Sequence, residues 1–153
     1  MRKTYRILAY VVAAEVVVQA IAIAWFVAGL GNWVTGGGVL DNAAIESDDM
    51  AFPELYGLIV HGINGSIVVP VIALALLIVA FFAKIPGGIK WAVIVLVLTV
   101  LQGQLGYLGH DYPAAGGVHG LNALALFTVA LVAARRAPAR EPRPAEAATV
   151  GNG

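Results

Sequence analysis

The chain has 153 residues, 60% of them hydrophobic and 12% charged, and no cysteine. A water-soluble domain of this size keeps much of its surface wet and cannot hide so much apolar side chain, so the composition excludes an ordinary soluble domain and indicates a membrane protein. The missing cysteines exclude disulfides, thiolate metal sites and cysteine nucleophiles, and a net charge of zero decides nothing until the charges are placed.

The first apolar run covers Ile7 to Leu30 behind the basic start MRKTYR. A cleaved signal peptide is the rival reading, since the run contains AIA. The run is longer than a signal peptide's apolar core and Glu15 interrupts it, so a retained span is expected. Residues 31–52 form a loop, first Gly-rich and then acidic. The second span covers Pro53 to Ala83, with Pro70 inside it; a proline there frees the carbonyl of Ser66 and predicts a kink. The turn AKIPGGIK leads to a third span, Trp91 to Gly109, and a fourth follows from Pro113 to Ala134. Residues 137–153 are Pro/Ala-rich with mixed charge and no periodicity, which predicts a disordered tail.

All the basic residues fall on one side of this scheme: Arg2, Lys3 and Arg6, then Lys84 and Lys90, then Arg135, Arg136, Arg140 and Arg143. Asp41, Glu46, Asp48, Asp49, Glu54 and Asp111 fall on the other. The positive-inside rule puts both termini in the cytoplasm of what reads as a bacterial plasma-membrane protein. Four spans joined by short turns predict an all-α, integral-membrane, up-down-up-down four-helix bundle over residues 1–136.

Polar residues inside the spans are expensive and therefore informative. VHGING, starting at Val60, and VHGLNA, starting at Val118, repeat His-Gly-aliphatic-Asn-small in the second and fourth spans. The first and third spans each carry glutamine: Gln19 in one, Gln102 and Gln104 in the other. The pattern is that of a duplicated helical hairpin whose copies run in the same direction. His61 shares a helix face with Asn64 and Gly65, and His119 with Asn122 and Ala123. Gly62 and Gly120 adjoin the histidines. Small residues beside two imidazoles at similar depth leave room for a flat group between helices. One haem b with His61 and His119 as its two axial ligands meets that description and satisfies both imidazoles. The bland alternative is that the histidines hydrogen-bond to Asn64, Asn122 or Gln102 and hold the bundle together. For a lone histidine that would be preferred; a matched pair favours ligation. Zinc fits less well, because it takes three or four such ligands.

Two further residues stand out. His110, at the outer end of the third span, reads as an interfacial residue, as a contact to a haem propionate, or as a pH-sensitive group beside Asp111. Glu15 is the acid inside a span, readable as a proton relay or as a protonated group bonded across the bundle.

The layout resembles one half of haem A synthase, a membrane enzyme of two four-helix bundles in which each half carries a histidine pair on its second and fourth helices. His61 and His119 fall at those positions, and the resemblance covers the four spans. The chain also looks like a set of small, uncharacterised bacterial four-span proteins. The synthase has a carboxylate about one turn before a histidine of its reactive half. Gly57 and Leu58 stand there before His61, Gly116 stands there before His119, and Glu54 lies two turns away. The resemblance thus implies haem binding without oxidation of haem.

The expectation is a b-type haem protein for electron transfer or haem handling, and not an enzyme on its own. Its pocket residues would be Gly62, Asn64, Gly65, Gly120, Asn122, Ala123 and His110 around the two ligands. Beyond the lipid bilayer it calls for a redox partner or a larger membrane complex, with a homo-oligomer as a further option and no ground for nucleic acid. The alternatives are a cofactor-free accessory subunit docking by small-residue faces, and a small proton or solute carrier using Glu15.

Overall fold

A computed structural model describes residues 1–41, 43–44 and 50–137. The acidic stretch of Glu46, Asp48 and Asp49 and the tail 138–153, with its expected disorder, lie outside the described residues. Four helices long and apolar enough to cross a membrane make up the chain: α1 Arg2–Thr35, α2 Leu55–Ala83, α3 Gly88–Asp111 and α4 Pro113–Arg136. Among the described residues there is no strand. At 1.5 Å per residue the 34 residues of α1 span about 50 Å, well beyond an apolar slab of about 30 Å. The helix accordingly continues five residues past Leu30 into what the hydropathy alone reads as loop. The overhang is clamped by Phe52, whose ring stacks on Trp33 at 5.3 Å and on Phe26 at 6.0 Å between centroids.

Consecutive helices are antiparallel and neighbouring, so α2 and α4 lie on one diagonal of the bundle and α1 and α3 on the other. The turn between α2 and α3 is tight because Lys84 (φ 51°) and Gly87 (φ 72°) both take left-handed backbone. Arg2 reaches across to the last carbonyls of α2, donating from Nε to Ala83 O at 3.4 Å and from Nη2 to Lys84 O at 3.3 Å. Tyr5, fully buried, donates its hydroxyl to Gly88 O at 3.0 Å. Arg136 lies 5.5 Å above the Trp91 ring. Together these contacts close the basic end.

The two halves of the bundle are packed differently. The half toward the basic end has a continuous core in which Val12, Leu76, Val95 and Leu126 are fully buried, set among Ala9, Ala13, Ala73, Ala80, Ala92, Ala130, Ala133 and Ala134. Small side chains let the helices approach closely, which is how membrane helices gain packing energy when lipid is as apolar as the core. Toward the acidic end this core stops. The outer segment of α2, Leu55–Ile63, leans on α1 and has no comparable packing against α3 or α4. It meets α1 through Gly57, where an added Cβ would collide with the Ala22 carbonyl. The acidic half is therefore open on the side between α2 and the α3–α4 pair.

The irregularity expected near Pro70 takes the form of a π turn over Asn64–Val68. Pro70 supplies no N–H, and Ser66 Oγ donates to Gly62 O at 2.7 Å across the widened turn. The turn inserts one residue into the facing pattern. Counting back from the buried stripe Val69, Ala73, Leu76, Ala80, Ala83, a regular helix would point Gly62 inward. With the extra residue it is His61 and Gly57 that face α1. We expect deletion of Ile67, an outward residue of the π turn, to be tolerated, because it restores a regular helix with both stripes in place. Deletion of Leu74 would rotate the stripe beyond it by about 100° and should unfold the basic half. Thermal melting in detergent separates the two.

Candidate functional site

The residues singled out by the repeat meet where the closed core gives way to the open half. His61 from α2 and His119 from α4 face each other across the diagonal, their ring centroids 6.0 Å apart and their planes at 58°. Each ring is held by a glutamine on the neighbouring helix. His119 Nδ1 lies 2.9 Å from the backbone oxygen of Gln102, and His61 Nδ1 lies 3.2 Å from the backbone oxygen of Gln19. A δ-protonated imidazole donates to that carbonyl and leaves Nε2 as the available nitrogen.

The asparagines extend the same arrangement. Asn122, buried, donates from Nδ2 to Gln102 Oε1 at 2.6 Å and to Leu98 O at 2.9 Å. Asn64 donates from Nδ2 to Glu15 Oε2 at 2.7 Å. With the Gln19 amide turned so that donors meet acceptors, Asn64 Nδ2 also donates to its oxygen at 3.0 Å. Each copy is thus a ladder of histidine, glutamine and asparagine. It ends one turn further toward the basic end, on the Leu98 carbonyl in one copy and the Glu15 carboxyl in the other. Asn122→Ala removes both donors and strands the Gln102 oxygen. It should cost about 1–2 kcal/mol, read as a lower melting temperature in detergent.

The copies differ in what the glutamine amide nitrogen does. Gln102 Nε2 sits 3.1 Å from His119 Nε2. Gln19 instead enters the opened turn of α2: its nitrogen donates to His61 O at 3.0 Å and its oxygen accepts from Gly65 N at 3.0 Å. Those two groups would bond each other in a regular α-turn, so the inserted side chain accounts for the π turn together with Pro70. The Gln19 nitrogen also lies 2.8 Å from His61 Nδ1, so an ε-protonated ring would accept from the amide in place of donating to the carbonyl. His61 Nε2 has no hydrogen-bond partner among the described residues.

The small residues divide. Gly65 makes room for the Gln19 amide, which a Cβ would approach to 3.3 Å, and Ala123 is half-buried in the matching place. Gly62 and Gly120 are exposed, with nothing within 4 Å of a Cβ at either. The π turn brings His61, and not Gly62, to the α1 face. The glycine that does matter to His119 is Gly106 on α3, where a Cβ would lie 3.3 Å from the ring. The crossing of α3 with α4 aims it at the imidazole. His110 is exposed at the end of α3, and the structure does not bring it to the pair. Glu54 packs its side chain toward Gly29 on α1, away from His61. Every buried side-chain nitrogen and oxygen among the described residues has a partner, and no three His, Asp or Glu side chains converge as a metal cluster.

Fold and site together define a multi-pass helical membrane protein in which two hairpins present matched His–Gln–Asn ladders to a shared centre. No family model matches the chain, and neither does any curated protein or solved structure.

Proposed function

We propose that the protein binds one b-type haem between His61 and His119, in the half of the bundle toward its acidic end. The observation that carries this reading is the facing pair of imidazoles. A metal–imidazole bond is about 2 Å long, so two rings on opposite sides of one ion have centres roughly 6 Å apart, and the observed separation is 6.0 Å. Two further features fit. Each Nδ1 has a backbone carbonyl to donate to, the usual way a ligating histidine is oriented and made more basic. The bundle is also open beside the pair, where α2 leaves α3 and α4. Two rearrangements are required: the Gln102 amide must turn away from His119 Nε2, and the Gln19 nitrogen must leave His61 Nδ1 so that this ring carries its proton there. Bound there, haem supplies one-electron chemistry without an open coordination position. The chain's own part is to hold the ligand rings, with Gly106 giving His119 clearance.

By the positive-inside rule the basic end faces the cytoplasm of a bacterial cell, which puts the histidines toward the outer side. A single outer haem does not reach across the membrane, so electron transfer requires a redox partner, or the role is haem handling.

The second reading is a cofactor-free accessory subunit. The Gln102–His119 bond favours it, since both nitrogens of that ring are already engaged. Titration of the purified protein with haem b decides between them. One haem per chain, with the sharp reduced α band of six-coordinate iron, is expected. A folded bundle that retains no haem overturns the proposal.

A further inference from the structure

The two ladders end differently, and the difference has no structural necessity. Asn122 finds its last acceptor in a backbone carbonyl, Leu98 O. Asn64 occupies the matching place but ends on the Glu15 carboxyl. Since a carbonyl satisfies the asparagine of one copy, the carboxyl of the other is more than a hydrogen-bond acceptor. What it adds is the capacity to carry a proton.

Access to Glu15 is unequal from the two sides. Toward the basic end stands the continuous core, with Val12, Leu76, Val95 and Leu126 fully buried. Toward the acidic end the hydrogen-bonded series Asn64, Gln19, His61 leads from Glu15 into the open half, and all three residues are partly exposed. The ionisable groups facing this region are His61 from α2 and His119 from α4. Between Lys90 and His110 α3 carries Tyr107, which is exposed near the acidic end, and α1 carries Tyr10 on the basic side. No lysine or arginine pairs with Glu15 among the described residues.

We infer that Glu15 is a proton-binding site inside the membrane that exchanges with the compartment at the acidic end and not with the one at the basic end. A carrier needs access from both sides. The sealed basic half therefore makes this a one-sided site, whose charge follows the pH of one compartment and sits two hydrogen-bonded residues from His61. The inference does not depend on haem.

The test uses the full chain in lipid vesicles in one orientation, with the infrared band of protonated carboxyl groups as readout. A band absent from Glu15→Gln, and displaced in Glu15→Asp, should rise and fall with pH on the acidic-end side. It should ignore pH on the basic-end side, and a proton gradient across the vesicles should persist. A Glu15 band that follows the basic-end side, that responds to neither side, or a gradient that collapses with wild type and survives with Glu15→Gln would overturn the inference. If Glu15→Gln does not fold, the Glu15→Asp displacement identifies the band.

Discussion

Replacing His119 with alanine should abolish haem binding while leaving the bundle folded. The ring lies where the closed core ends, and the fully buried Leu126 and Ala130 on the same helix are untouched by its loss. The fold would lose the hydrogen bond to Gln102 O, about 1 kcal/mol. Haem would lose one of its two protein ligands. His61→Ala should do the same for the other ligand, so each variant alone should eliminate the six-coordinate spectrum. Gln102→Ala separates the two readings. If the Gln102 amide competes with iron for His119 Nε2, its removal should tighten haem binding, by up to about tenfold for a contact of about 1.4 kcal/mol. If the amide belongs to a permanent clamp, no haem is bound by either protein; the lost Asn122 hydrogen bond lowers the melting temperature on both readings. Haem titration and thermal melting of the three variants side by side give the answer.

The second large effect is expected at Gly57, one turn from His61 on the same face of α2. An added Cβ there meets the Ala22 carbonyl, with Phe26 N at 3.1 Å and Phe26 Cβ at 3.2 Å. Two of these three contacts are to backbone that belongs to α1, which cannot yield as a side chain can. Gly57→Val must therefore push the outer segment of α2 off α1, the helix it leans on. Overpacking of this kind costs about 1–3 kcal/mol, and here it also withdraws His61 from the Gln19 carbonyl. We expect a lower melting temperature and haem affinity weakened at least tenfold. Gly62→Ala and Gly120→Ala are the controls. A methyl at either position meets open space, and exchanging a helical glycine for alanine favours the helix by up to about 1 kcal/mol. Weakened haem binding in these controls would show that the open half is lined differently from the structure described above.

The sequence by itself determined the fold class. Long apolar runs, basic residues confined to one end and short turns leave four antiparallel helices as the solution in a medium where every backbone group must be bonded internally. It also singled out His61, His119, Asn64, Asn122, Gln19 and Gln102 as side chains in need of partners, because polar groups at matched positions in apolar helices are costly unless bonded. The tertiary structure alone decided which partners. The bland reading of the histidines looked to the asparagines or to Gln102; in the structure the imidazoles bond to glutamines of the neighbouring helices, and the asparagines serve those glutamines. The π turn was equally illegible, because it arises from Pro70 together with a side chain inserted from α1, and periodicity read along one helix cannot contain a contact with another. That one extra residue decided that His61 faces the bundle and Gly62 does not. The openness of the acidic half has the same origin: local sequence sets the length and polarity of a helix, while the approach of two helices is set by whichever small residues, Gly57 here and the alanines below it, happen to face each other.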